Sequence, residues 1–316
     1  MDRNLTIEAV RLTEAAALYA SRHMGKGDED LSYYSAAEAM NRVVSAMEID
    51  GEVVIGADSS DTALYDGAQV GIKTGKAVDL AVKPLDGKMT CARGGHNAVS
   101  VAAVGSKGSF MRTPSYYMDK IAVGKDAKNL VDINQPPAIN IKRVARAKGK
   151  YIEDITVCVL DRKRNEQLVR EIRETGAKIK LIRDGDISGA ISAAFPESSI
   201  DILMGIGGAK EAILAAAALK CMDGDMQTRY VDLSGKEKDH VRELGPGDPD
   251  GIFTISEMIK GDEVIVSLTG VTDGVLLPGV QYVSGGAKTN SILFRQKTHT
   301  LRYINAVHQF DYKPIF

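Results

Sequence analysis

The stretches Ile155-Thr156-Val157-Cys158-Val159-Leu160, Lys178-Ile179-Lys180-Leu181-Ile182 and Ile200-Asp201-Ile202-Leu203-Met204 decide the fold class. Each is a short run rich in β-branched and aliphatic residues, the signature of a strand. Between them lie helical patterns. Residues 163–175 carry Leu168 and Ile172 on one face, and residues 187–194 run up to Pro196. An alanine-rich helix over 211–220 follows the third strand. Strands alternating with helices of this length predict parallel βαβ units and an α/β fold.

Working outward, the first third reads as helix, helix, strand, strand. Ile7, Val10, Ala17 and Leu18 predict a helix over residues 5–24, ended by Gly25-Lys26-Gly27-Asp28. Met40, Val43, Val44 and Met47 predict another over 36–47. Val53-Val54-Ile55 reads as a buried strand, and residues 77–82 alternate as a half-buried one. A further strand is expected over 97–104, and the chain ends in strands near 263–269, 291–296 and 299–307. Pro136-Pro137 and the basic tract 138–150 suggest a domain junction. The expected domains are therefore 1–145 and 146–316, with the C-terminal strands able to pack back on the first.

A chain of 316 residues with charged content of 26% fits a globular protein of two domains. A net charge of −2 gives no reason to expect nucleic acid or an anionic membrane as partner. No apolar run is long enough for a membrane span, and Met1-Asp2-Arg3-Asn4 does not open a signal peptide. Cys91, Cys158 and Cys221 lack metal or disulfide spacing, which fits buried thiols in a reducing cytoplasm.

The segment Val82-Lys83-Pro84-Leu85-Asp86-Gly87-Lys88 resembles the Asp-Pro-Leu/Ile-Asp/Glu-Gly-Thr/Ser loop of metal-dependent sugar phosphatases, with charge reversed at its first position. Ile49-Asp50-Gly51, Val54-Ile55-Gly56, Asp79-Leu80-Ala81-Val82 and Val104-Gly105-Ser106-Lys107-Gly108 extend the likeness, as do Tyr117-Met118-Asp119-Lys120 and Asp184-Gly185-Asp186. It continues through Gly205-Ile206-Gly207-Gly208-Ala209, Met222-Asp223-Gly224-Asp225-Met226 and Thr269-Gly270-Val271-Thr272. In order and spacing these resemble the bacterial class II fructose-1,6-bisphosphatases, within the lithium-sensitive sugar-phosphatase fold.

That resemblance implies a two-domain layered α/β/α/β/α sandwich and a cytoplasmic homo-oligomer. It implies release of the 1-phosphate of fructose 1,6-bisphosphate with Mg²⁺ or Mn²⁺, which need oxygen ligands. Of the family's five metal carboxylates, two keep an acid here: Asp86 and Glu211, the implied catalytic and metal residues. The other three positions are Tyr33, Ala57 and Lys83. Asp58, Asp61 and Asp79 are the acids near enough in sequence to compensate.

The implied substrate residues are Tyr117, the basic segment Arg162-Lys163-Arg164, Asp184 and Asp186, and Gly208. The resemblance sets them in a cleft between the domains. Lys83 and Lys88 join them, because an ammonium can neutralise phosphate charge without a metal but cannot lower the pKa of a water as a metal does. His96 is a candidate general acid beside the more common structural histidine. Two functions remain open: a divergent sugar-bisphosphate phosphatase, or an inactive relative that binds sugar phosphate as a sensor or oligomer partner.

Overall fold

The computed structural model describes residues 3–57, 62–245 and 247–312. The chain forms two compact units: Met1–Phe110 with Gly261–Phe316, and Met111–Lys260. The sequence reading set the junction near 145/146. Helix α4, Pro137–Lys148, runs through that point. Pro136 is its N-cap and Pro137 its first residue, where a missing N–H costs nothing, so the Pro-Pro pair starts a helix instead of separating domains.

The first unit opens with α1 (Arg3–Ser21) and α2 (Glu29–Ser45). The second helix starts a turn and more before the expected residue 36, because Asp28 caps it by accepting from the Leu31 N–H at 2.8 Å. Then come β1 (Ile49–Ile55), β2 (Gln69–Val70), β3 (Lys76–Asp86), the short α3 (Lys88–Ala92) and β4 (Val99–Ser106). The chain returns after Lys260 to add β11 (Ile265–Gly270), β12 (Gln281–Val283), β13 (Gly286–Arg295) and β14 (Thr300–Gln309).

These strands make one mixed sheet in the order β12-β13-β11-β4-β3-β1-β2, with β14 also pairing β13. The C-terminal strands thus share a sheet with the motif strand β3. Helices α1 and α2 cover one face, where Leu12, Met40, Val44, Leu80, Val104 and Leu293 pack. Strand β3 is not half-buried as its alternation suggested. Residues 78–82 are all buried, in a strand that lies inside the sheet between β1 and β4.

The second unit holds β5 (Tyr117–Val123), α4, β6 (Thr156–Leu160), α5 (Glu166–Glu174), β7 (Lys178–Ile182) and α6 (Asp186–Ala194). It continues with β8 (Ile202–Gly208), α7 (Ala209–Cys221), β9 (Asp225–Tyr230), α8 (Gly235–Leu244), β10 (Phe253–Thr254) and α9 (Ile255–Met258). The sheet order is β10-β9-β5-β8-β6-β7. Strands β7, β6 and β8 are parallel, as the βαβ pattern predicted. Strand β5 lies antiparallel to both β8 and β9, which makes the sheet mixed.

Val144, Ile172, Val157, Val159 and Met204 form the core under α4 and α5. Helices α6 and α7 pack on each other and on the same sheet. Alanines dominate α7 because it is buried on almost every side and only small residues allow that approach. All three cysteines are free and buried. Burial pushes the thiols of Cys158 and Cys221 up to about 12 and that of Cys91 to about 11, so none is a ready nucleophile.

Candidate active site

In the second unit, the carboxyl ends of β6 and β8 and the start of β5 meet at one edge of the sheet. The register sets Tyr117 beside Gly208. After β6 the chain turns through Arg162, Lys163 and Arg164 into α5. The Arg164 Nε donates to the Ile206 carbonyl at 3.1 Å, and its guanidinium carbon lies 4.3 Å from the centre of the Tyr117 ring. Stacking on an aromatic face is a favoured guanidinium geometry. Tyr117, Arg164 and Gly208 are thus brought together. Arg162 instead donates to the Asp161 carbonyl at 3.0 Å, and Lys163 is exposed.

Asn165, which the sequence did not single out, holds this edge in place. Its amide nitrogen donates to the carbonyls of Leu160 at 3.0 Å and Ile206 at 3.3 Å, and its oxygen accepts from the Ile206 N–H at 2.8 Å. It therefore staples the end of β6 to the end of β8. Gly205 beside it has φ of 115°, where a side chain would be strained and its Cβ would stand 2.9 Å from the Asn165 oxygen.

Asp186 is the first residue of α6, after Gly185 in the left-handed region. It is buried, and the Lys120 Nζ donates to its Oδ2 at 2.6 Å. This pair lies against Gly207, whose absent Cβ would fall 2.2 Å from the same oxygen. The carboxylate is thus committed to Lys120. Asp184 is half-buried and accepts from the Gly185 N–H at 3.1 Å. Glu211 sits in the first turn of α7 and folds back over Gly208, where a Cβ would meet its Oε2 at 1.9 Å.

Asp119, on the adjacent position of β5, faces the α4 and α5 side. Arg229 of β9 donates to it at 3.1 Å and to Asn134 at 3.1 Å. Burial raises the Asp119 carboxyl above its ordinary value, with Arg229 opposing the shift. Asp119, Asn134, Arg164 and Arg229 line a cavity of about 760 Å³ between the starts of α4 and α5. Sequence reasoning missed it because it is built from β5 and β9, neither of which was anticipated.

In the first unit, the motif segment is the end of a strand, not a free loop. Strand β3 bulges against β4 between Lys83 and Asp86, where Pro84 can be accommodated without a ladder N–H. Gly87 then turns the chain with φ of 92°, and Ala98 approaches so closely that a Cβ would sit 3.1 Å from its Cα. Lys83 is half-buried and Asp86 is buried. Lys88 opens α3 and reaches Asp30, Nζ to oxygen 3.0 Å, in an exposed ion pair.

The remaining sequence candidates have structural partners. Asp79 is buried and accepts from the Gly108 N–H at 2.6 Å, which pins the turn after β4. His96 is exposed, with its Nδ1 3.2 Å from the Asp273 carbonyl. Tyr33 packs against the α1–α2 core, and its ring meets Tyr34 edge-on at 5.9 Å. Ala57 lies in a bridge to Tyr65. Asp58 and Asp61 lie outside the described residues.

A hard divalent cation takes carboxylate, carbonyl or water oxygens. The side chains at positions 33, 57 and 83 are a packed phenol, a methyl and an ammonium. Among the described residues, no group of three or more His, Cys, Asp or Glu side chains is placed to hold a metal ion. The described residues therefore assemble no donor set for Mg²⁺ or Mn²⁺, and no chemical step follows through such an ion. No helix among the described residues is long and apolar enough to cross a membrane.

Residues 3–308 match the family described as bacterial fructose-1,6-bisphosphatase, glpX-encoded. A D-fructose 1,6-bisphosphatase class 2/sedoheptulose 1,7-bisphosphatase of Synechococcus sp. (strain JA-2-3B'a(2-13)) is 37% identical over 337 residues, covering 98% of this chain and 97% of its own. A fructose-1,6-bisphosphatase class 2 of Haemophilus influenzae is 37% identical over 325 residues, covering 98% of each chain.

Proposed function

We propose, from the premise that this chain belongs to the bacterial class II fructose-1,6-bisphosphatase family, that its ligand is a sugar bisphosphate and that phosphate release from that sugar is the first activity to assign it. One observation carries the reading. The Arg164 guanidinium is braced by the Ile206 carbonyl and stacked on Tyr117 at the carboxyl edge of the second unit's sheet. A fixed, planar cation at a strand-to-helix turn suits a phosphate, because its N–H fork matches phosphate oxygens. Fructose 1,6-bisphosphate and sedoheptulose 1,7-bisphosphate, named for the Synechococcus relative, are the first substrates to try.

A second reading is favoured by Tyr33, Ala57 and Lys83. They stand where the resemblance expects metal carboxylates, and Lys88 stands where it expects a hydroxyl. Under this reading the chain binds the sugar phosphate and turns it over poorly or not at all. Phosphate release with and without Mg²⁺ or Mn²⁺, against a Glu211→Ala control, separates the two. Metal-dependent release lost in the control establishes the enzyme. Release no faster than the folded control leaves an inactive binding protein or a different substrate, and titration with the sugar phosphate then separates those two.

A further inference from the structure

We propose that Asn165 is a positioning residue that aims Arg164 at the phosphate, acting through the backbone of Ile206. This rests on the phosphate reading of Arg164 given above. The ladder between β6 and β8 is short. It pairs Val157 with Ile202 and Cys158 with Leu203 and then ends, although the strands run on to Leu160 and Gly208. The Asn165 side chain bridges the gap that opens there. Its Nδ2 donates to the Leu160 carbonyl on one strand and to the Ile206 carbonyl on the other, and its Oδ1 accepts from the Ile206 N–H. An amide side chain carries donors and an acceptor together, so this one residue replaces the missing rungs.

The Ile206 carbonyl is where the two side chains meet. It accepts from the Arg164 Nε at 3.1 Å and from the Asn165 Nδ2 at 3.3 Å, which occupies both of its lone pairs. Asn165 therefore grips Ile206 by its N–H and its carbonyl, and sets the direction of the acceptor that anchors the guanidinium. The Nε bond is the one hydrogen bond Arg164 makes among the described residues, so its two Nη groups keep their donors for a ligand. Asn165 itself is buried and both Nδ2 protons are engaged, so it has no donor left to offer a phosphate. Its role is to hold. An unanchored arginine loses rotamer freedom when it binds, and fixing Nε beforehand removes part of that cost.

Calorimetric titration of fructose 1,6-bisphosphate into the wild type, Asn165→Ala, Arg164→Ala and the double variant tests this. Asn165→Ala should bind roughly tenfold more weakly, the loss expected for residues in one hydrogen-bonded network. In the Arg164→Ala background the same substitution should weaken binding no further, because the arginine it positions is gone. Exchange of the Arg164 Nε–H supplies a readout that a general loss of stability would not single out. Its NMR signal, assigned by its absence from Arg164→Ala, should exchange slowly in the unliganded wild type and fast in Asn165→Ala. Asn165→Asp keeps the shape and the acceptor but not the donors. It should show the same pattern and serves if the alanine variant does not fold. Unchanged affinity in a folded Asn165 variant, an equal loss with and without Arg164, or an Nε–H that stays protected overturns this inference and leaves the phosphate reading standing. Unchanged affinity in Arg164→Ala, or no binding by the wild type, overturns the phosphate reading, and this inference falls with it.

Discussion

The turn after β6 and the end of β3 are built alike, yet they carry different chemistry. Each is a strand end leading into a helix, each is shaped by close glycine contacts, and each holds basic residues. After β6, Arg164 is fixed by a carbonyl and an aromatic ring, a geometry made for an anion. At the end of β3, Lys83 and Lys88 stand where the resemblance expects oxygen donors, and Lys88 is paired with Asp30. On the binding reading proposed above, holding a sugar phosphate and holding a metal are separable. The first needs guanidinium and backbone donors, whereas the second needs convergent carboxylates.

The largest test of this contrast asks which unit 2 charges are structural. Lys120→Ala leaves the Asp186 carboxylate buried without its cation, which costs about 3–5 kcal/mol. Chemical denaturation should show that loss. A change under 1 kcal/mol would mean that Asp186 is not committed to Lys120 and is available to a ligand.

Arg164→Ala is next. Losing a charged hydrogen-bond donor to phosphate costs about 1.5–3 kcal/mol, roughly ten- to hundredfold in affinity. Calorimetric titration with fructose 1,6-bisphosphate should show the drop with the melting temperature nearly kept. Unchanged affinity would remove the β6 turn from the ligand site.

In the first unit, Asp79→Ala should cost about 1–3 kcal/mol by orphaning the Gly108 N–H. Thermal unfolding reads that effect. A variant as stable as the wild type would reopen Asp79 as a functional acid.

The pH dependence gives a smaller, signed effect. Burial pushes Asp201 up, but hydrogen bonds from Lys148, Lys150 and the Thr156 N–H outweigh it and leave the carboxyl below its ordinary value. A depressed carboxylate stabilises the fold above its unfolded pKa and loses that contribution as pH falls through the folded one. Acid unfolding of the wild type should therefore be steeper than that of Asp201→Asn. Identical profiles would contradict the assignment. Smallest of all, Lys88→Ala should change stability by about 0–1 kcal/mol, because its exposed pair with Asp30 is screened.

The parallel core was legible because β6, β7 and β8 are apolar runs separated by amphipathic helices. Strands β5 and β9 were not. Tyr117-Met118-Asp119-Lys120 and Asp225-Met226-Gln227-Thr228-Arg229 mix charges with apolar residues, and their charges are neutralised only by tertiary partners such as Arg229 with Asp119. The cavity beside Arg164 was hidden for the same reason. Helix α4 was misread because two prolines signal a break as readily as a helix start, and only the following residues decide. Tyr117, Arg164 and Gly208, which the structure brings together, were named through resemblance, whereas Asn165 is a single buried amide with no pattern around it.

The most direct test of the central claim is calorimetric titration of fructose 1,6-bisphosphate into the wild type in excess EDTA, repeated with Mg²⁺. The account predicts binding of similar affinity in both. Binding that appears only with Mg²⁺ would contradict it, by showing that a metal site survives and that ligand holding depends on it.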